Sequence, residues 1–482
     1  MTNLLAGLTT VIICAVGYLF AFRYYKKDND AAAVFLIVSC GLLLRLFAGA
    51  DLFLHEWDER YHALVAKNLI KHPLIPTLYD QPLLPYDYHN WSENHIWIHK
   101  QPLPLWSMAF SMKLFGINEI ALRLPSIILS SIAVYLTYYI AASLFNRTVG
   151  LTAAFFHSIN GLVIMVTSGR IATDHPELFH LFFIELAVFL VVYYRNTRKS
   201  ALNVFIGLAL GSAILCKWLT ALIVLPVWFI LLRGKEPYPK LARNLCIILF
   251  FCAATFLPWQ IYIHKAFPVE AAWEDSFNIR HITEVLEAHS GPFYYHFREM
   301  KNTFGELVYI PLLWFLVSVL MNLKDERPLA IAVWFLIPYL FFTCAKTKMP
   351  AYTLFAAPSV FIMLGLFIDV ALKKISAYNS RRLLTPCLML IFVVPALLHT
   401  FKAVRPFHRV DRNPAWAVEL KNLDSRTSDK NTVIFNSTRP IETMFYSSFT
   451  AYKGFPTPEQ IAELTEKGYQ IYVLPEGNSG PQ

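Results

Sequence analysis

The chain has 482 residues, of which 56% are hydrophobic, 15% aromatic and only 16% charged. That composition excludes an ordinary soluble enzyme. Its apolar runs approach the ~20 residues a helix needs to cross a bilayer, and they are too long and uniform for barrel strands. The formal net charge of +9 does not mark a nucleic-acid partner, because the basic residues fall in short loops between apolar runs, where the positive-inside rule puts them.

The pattern predicts an all-α polytopic membrane protein with about twelve spans: 3–22, 31–50, 118–143, 148–167, 176–194, 201–216, 219–232, 241–260, 305–323, 328–344, 351–371 and 383–401. The first run has no basic residue before it and Lys26 and Lys27 after it. It is therefore expected to stay as a span, with its N-terminus outside. Alternation from there makes every inner loop basic, from Lys26–Lys27 through Arg147, Arg195 and Arg233 to Lys373, Lys374, Arg381 and Arg382. The outer segments are 51–117, a turn near 168–175, a turn at Lys217, the loop 261–304, the turn 345–350 and the tail. Cys14, Cys40, Cys216, Cys246, Cys252, Cys344 and Cys387 lie in or beside apolar runs without metal spacing, and read as small core residues.

The first outer loop opens with LHEWDERYHALVAKNLIKHP, Leu54 to Pro73. Asp58 and Glu59 head a helical pattern of Tyr61, Leu64, Val65 and Leu69, with His62, Lys67 and Lys71 interleaved. This predicts an amphipathic helix at the membrane surface. Its carboxylate pair suits chemistry on a lipid-linked substrate; a solvated turn accounts for the charges equally well. A second surface helix is expected near Pro102–Phe115, ended by Gly116. The tail reads helix (AWAVELKNL), strand (NTVIFN), helix (RPIETMFYSS), helix (TPEQIAELTEKG) and strand (QIYVLPE). The chain thus divides into a membrane domain, 1–401, and a small soluble α/β module, 402–482, on the outer side.

A second acid, Asp174, lies in GRIATDHP between two spans, at or near the start of the helix opened by Pro176. Capping is its simplest role. It also falls on the same side as Asp58, so the two could act as base and orienting group, or share a divalent metal. Cations gather on that side too: His99 and Lys100, Lys217, Arg280 and His281, Lys346 and Lys348, the last beside Tyr352. Single lysines snorkel to headgroups, but a group of them suits a phosphate. Glu177, His180 and Glu185 fall within a span; for Glu185 an internal partner is expected.

The Asp-Glu pair, then HKQPLPLW, FGINEIALRLPS, GRIATDHPELF and KTKMPAYTLFAAPS in that order, resemble the polyprenol-dependent glycosyltransferases of the GT-C class. Over roughly residues 31–400 the chain is most similar to the protein O-mannosyltransferases and the lipid A aminoarabinose transferases. The resemblance implies a sugar donor on a polyprenyl phosphate and an active site facing the periplasm of a bacterial inner membrane. It also implies that Asp58 is the catalytic base, with Glu59 beside it, and that Asp174 is the second-turn acid. Lys100 is then a contact to the donor phosphate, and Lys348 and Tyr352 border the lipid-phosphate site. From their placement on the outer side, and not from the resemblance, Arg280 is expected as a further phosphate contact, and His99, His175, Lys217 and His281 as further candidates for the site. Tyr61, His62 and His175 depart from the family pattern, and span 3–22 has no counterpart in it.

The expected reaction is transfer of a sugar, with inversion, from the polyprenyl-phosphate carrier to an envelope lipid, glycan or protein. The alternatives are a transporter or flippase of lipid-linked sugars, whose ionisable groups would gather at the midplane of an inverted repeat, and a receptor built around the tail.

Overall fold

The computed structural model describes residues 3–376, 381–426 and 431–474. Among these, nine helices are long and apolar enough to cross a membrane, or eleven spans when two bent pairs are counted. One bent pair is Arg147–Ser158 with Gly161–Thr167, at 53°; the other is Tyr295–Phe304 with Glu306–Met321, at 118°. The first bend has a local cause, since the Asn160 side chain accepts from Val163 N–H and starts a new helix. The second occurs at Gly305, whose φ of 97° is open to glycine and strained for other residues. Residues 295–304, expected as loop, therefore form a helix that leads into the predicted span.

The Leu202–Leu232 run is long and apolar enough to cross as one unit, where the sequence predicts two spans. Its ends show that it folds back. Lys217 pairs with Glu177, near the start of the Asp174–Thr197 helix. Beyond the run, Glu236 accepts from Tyr194 and Arg198 at that helix's other end, at 3.0 and 2.8 Å. The reversal follows Lys217, where Trp218 takes a φ of 65°. The run thus contains an ascending and a descending half, and the predicted alternation is kept.

Ion pairs sort by end of the bundle. Arg147 with Asp28 and Asp30, Arg195 with Glu326, and Arg198 with Glu236 gather at the end assigned to the inside. The surface helices, the 168–173 turn, Lys217 and the 345–349 turn lie at the other. Between them runs a large apolar core that includes Leu181, Val188, Leu210, Trp334 and Phe361. The Asn3–Lys26 helix lies on the periphery, burying only Asn3, Gly7, Thr10, Cys14 and Ala21. Such small residues allow close helix packing in lipid.

The Asp58–Leu69 helix forms where predicted, with Asp58 and Glu59 in its first turn and Lys67 in its last, as the helix dipole favours. It does not lie with one wet face on the membrane: nine of its twelve residues are buried. It is packed between Pro102–Phe115 and the C-terminal tail, in a cluster that joins Tyr61, Leu64 and Met108 to Ile441, Phe445 and Ala451. Its cations serve this packing. The Lys67 ammonium donates to the carbonyls of Met444, Phe445 and Ser447 at 2.7, 3.0 and 2.7 Å, closing the C-terminus of the Pro440–Tyr446 helix. Burial lowers the Lys67 pKa to about 8. Lys71 pairs with Asp80.

The tail holds a parallel sheet of β1 (Thr432–Phe435), β2 (Thr450–Ala451) and β3 (Gln470–Val473) in the order β2-β1-β3. The register pairs Val433 with Thr450 and Ile471. The predicted helices and both predicted strands are present, and β2 is additional. Thr457 and Gln460 form a reciprocal capping box on the Pro458–Glu466 helix. Pro475 and Glu476, the end of the last predicted strand, lie outside the described residues.

Candidate active site

Asp58 begins its helix with its carboxylate turned toward the 168–173 turn. Its Oδ2 accepts from Thr173 N–H at 3.0 Å and lies 3.5 Å from Lys100 Nζ. Thr173 makes this contact from a left-handed backbone, φ 58° and ψ 39°, which costs a β-branched residue energy. Burial pushes the Asp58 pKa up, but Lys100, His62 and the Thr173 N–H outweigh it and hold it at about 2. Lys100 shows the reciprocal balance. Burial pushes its pKa down, while Asp58, Glu287, Glu177 and Asp174 outweigh burial and raise it. Lys100 thus feels the charge of four carboxylates from three parts of the chain, Asp58 being the one in contact.

Asp174 is the first residue of its helix; Thr173 is the N-cap residue, without a side-chain cap bond. The Asp174 Oδ1 accepts from His175 N–H at 2.6 Å and lies 2.9 Å from His62 Nδ1. Asp174 Oδ2, His62 Nε2 and Glu177 Oε2 are buried with no hydrogen-bond partner. Glu177 pairs with Lys217, whose ammonium sits 4.3 Å from the centre of the Tyr352 ring. The strained Trp218 follows Lys217 as Thr173 precedes Asp174, so both turns at the site store backbone strain.

Glu59 takes a different part. Its carboxylate is fully buried and held by Arg123, with Nε–Oε1 2.6 Å and Nη2–Oε2 2.8 Å. His55 Nδ1 at 2.7 Å, the His55 N–H at 2.8 Å and His175 Nε2 at 3.3 Å also lie against it. Burial penalises this carboxylate, yet Arg123 and His55 hold its pKa well below the usual range. Arg123 also donates to the carbonyls of Gly49, Asp51 and Phe53. Gly169 completes the fit: its φ is 72°, and a Cβ there would stand 2.1 Å from Glu59 Oε1. This network fixes the end of the Asp30–Ala48 span, the start of the Asp58 helix and the 168–173 turn relative to one another. Glu59 and His175 position Asp58 and Asp174.

The remaining predicted residues divide. Tyr352 is buried under Lys217. Lys348 is turned away to the end of the Glu326–Cys344 helix, donating to Phe342 and Thr343 carbonyls at 2.7 Å each. Burial lowers its pKa. Arg280 pairs with Glu284 at 2.9 Å on an exposed helix face. The His281 carbonyl accepts from Thr347 N–H at 3.1 Å, which brings the 268–283 helix against the 345–349 turn. His99 lies 3.1 Å from Glu274 and stacks on Trp91.

The sequence reading named His62, Glu177 and Lys217 but paired neither His62 with Asp174 nor Lys217 with Glu177, and it did not name Glu287. The i,i+3 spacing of Asp174 and Glu177 was a usable signal; Glu287 approaches only through folding. Of the two acids considered for a metal, Asp58 Oδ2 faces Lys100 and Thr173 N–H, and Asp174 Oδ1 faces His175 N–H and His62. Among the described residues no group of three or more His, Cys, Asp or Glu has metal-holding geometry.

Known proteins resemble this chain in sequence and in fold. Residues 99–262 match the family model described as dolichyl-phosphate-mannose-protein mannosyltransferase. An undecaprenyl phosphate-α-4-amino-4-deoxy-L-arabinose arabinosyl transferase of Proteus mirabilis is 24% identical over 346 residues, 69% of this chain and 62% of that protein. A Pseudomonas fluorescens arabinosyl transferase of the same description is 24% identical over 57% of this chain and 50% of its own length. An uncharacterized Aquifex aeolicus protein is 24% identical over 66% of this chain and 60% of its own length. The chain thus spans 50 to 62% of the length of these relatives. In three dimensions it is similar to ArnT from Cupriavidus metallidurans bound to undecaprenyl phosphate, with a TM-score of 0.66 at 14% identity, over 91% of this chain and 89% of that one. The chain has the GT-C fold. Archaeoglobus fulgidus AglB, an oligosaccharyltransferase, shares it with a TM-score of 0.64 at 14% identity, over 91% of this chain and 65% of AglB. The resemblance to GT-C polyprenol-phosphate-sugar glycosyltransferases holds in both sequence and fold.

Proposed function

We propose that this protein is a membrane glycosyltransferase. It moves a sugar from a polyprenyl-phosphate carrier to an envelope lipid, glycan or protein acceptor, with inversion, on the periplasmic face of a bacterial inner membrane. The observation that carries this reading is the Asp58–Lys100 pair, 3.5 Å apart, at the end of the bundle where Asp174, Glu177, Lys217 and Tyr352 also converge. A transporter would place such groups at the midplane.

The geometry suggests how the pair works. With a pKa of about 2, Asp58 is always ionised but weakly basic, so in the free protein it orients an acceptor hydroxyl better than it deprotonates one. A donor phosphate would draw Lys100 away from it, with Lys217 above Tyr352 as a second cation. Asp58 then loses its counter-charge, and its basicity rises as the donor seats. The acceptor oxygen attacks the anomeric carbon, and the bond to the phosphate oxygen breaks with its electron pair on the leaving phosphate. The acceptor proton passes to Asp58. The orphaned oxygens of Asp174 and Glu177 are free to accept from substrate hydroxyls. The protein mainly positions groups and balances charge.

The test is transfer from a purified polyprenyl-phosphate sugar, with mass spectrometry of envelope glycans and lipids from cells with and without the protein. Unchanged envelope material and no release of polyprenyl phosphate in vitro would refute the reading.

A further inference from the structure

A cavity of about 460 Å³ opens between the first outer loop and the C-terminal sheet, within the roughly 300–1,000 Å³ typical of ligand pockets. It lies outside the group around Asp58. Phe435, the last residue of β1, and Tyr452 and Lys453, directly after β2, line it. It thus occupies the carboxyl ends of a parallel sheet, where open α/β sheets bind ligands. On the loop side its walls include Tyr61 and Tyr86.

The lining mixes two chemistries. Tyr61, Tyr86, Tyr452 and Phe455 supply aromatic surface, while Asp87, Glu93 and Lys453 supply charged groups at the same cavity. Flat rings beside carboxylates and an ammonium suit a saccharide, whose C–H faces stack and whose hydroxyls donate and accept. An extended peptide would instead add to a strand edge through backbone bonds, and this cavity sits at strand ends.

Packed rings link the cavity wall to the proposed active site. Tyr61 lies one helical turn from Asp58. Its ring packs against Trp91, centroids 4.9 Å apart, and Trp91 stacks on His99 at 4.8 Å with 5° between planes. His99 precedes Lys100. An aromatic track therefore runs from the cavity wall to the Asp58–Lys100 pair.

We propose that the cavity between the first outer loop and the C-terminal sheet is a distal acceptor subsite, which holds saccharide residues of an acceptor while its reacting hydroxyl lies at Asp58. This rests on the transferase reading above. It gives the tail a function: the module completes the acceptor site.

The full-length protein in detergent is titrated calorimetrically with cellotriose, mannotriose and chitotriose, and separately with undecaprenyl phosphate. The variants are Tyr86→Ala and Phe455→Ala, at side chains 42% and 55% exposed, with Asp58→Asn as control. At least one triose is expected to bind. Its affinity should fall about two- to tenfold in each rim variant, as for a lost stacking contact, and stay within twofold in Asp58→Asn. Undecaprenyl phosphate binding should be unchanged in the rim variants. If no triose binds, or if Asp58→Asn weakens binding and the rim variants do not, the subsite is disproved. Rim-sensitive binding of a Ser/Thr-rich nonapeptide in place of the trioses also overturns it. If trioses bind with rim sensitivity but the wild type ignores undecaprenyl phosphate, the saccharide site stands and the transferase reading falls.

Discussion

Lys100 Nζ stands 3.5 Å from Asp58 Oδ2, so the cation proposed to bind the donor phosphate also lowers the pKa of the proposed base. Lys100→Gln should therefore have two effects. Loss of a charge-assisted contact lowers polyprenyl-phosphate affinity about ten- to a hundredfold, or roughly 1.5–3 kcal/mol. It also removes the largest of the influences that hold the Asp58 pKa at about 2. The acid limb of kcat/KM, which reports the free enzyme, should shift to higher pH. An unshifted limb would show that the pair is uncoupled.

Asp58→Asn should reduce transfer by about 10²–10⁴-fold, the usual range for a lost general base. The protein should stay folded at neutral pH. The linkage has a definite sign: a folded pKa of about 2 lies below the unfolded value of ~3.9. The stability from ionised Asp58 is present above the unfolded value and disappears as pH falls through about 2. Thermal unfolding of wild type should therefore lose more between pH 5 and 3 than that of the Asn variant. Normal turnover by Asp58→Asn would sink the mechanism.

Glu59→Gln separates position from chemistry. The Glu59–Arg123 pair is fully buried, and removing one partner of such a pair costs about 3–5 kcal/mol. We expect a clear drop in thermal stability. The remaining folded protein should keep the wild-type pH profile of turnover. A changed profile would mean that Glu59 itself exchanges protons with substrate.

Lys348→Gln should behave unlike Lys100→Gln. Its ammonium closes a helix end through two carbonyls, so the expected loss is in stability, about 1–3 kcal/mol. Undecaprenyl-phosphate affinity in the folded fraction should stay within twofold. A tenfold loss of affinity would return Lys348 to the phosphate site.

The topology has its own test. In a background lacking native cysteines, Asp87→Cys and Lys453→Cys should both react with an impermeant thiol reagent added to intact spheroplasts. Lys199→Cys should react only after lysis. Labelling of one of the first pair without the other would break the shared side assigned to the first loop and the tail.

The sequence by itself marked most of the elements and predicted a side for each. Apolar run length is read directly by the bilayer, which solvates no bare backbone, and the basic loops orient each run. The order of Asp58, Lys100, Asp174 and Tyr352 along the chain was likewise legible. Only the tertiary structure decided which charges meet. Asp58, Lys100, Asp174 and Lys217 come from four segments that converge on folding. Glu59 meets Arg123, and Lys348 meets the Phe342 and Thr343 carbonyls, partners that chain order does not show. Ion pairs depend steeply on distance, and chain order carries no distance between segments that only packing brings together. The tail illustrates the same divide. Its strands and helices follow from local pattern, but the cavity at their carboxyl ends exists only because Tyr61 and Tyr86 come against the sheet from nearly four hundred residues earlier in the chain.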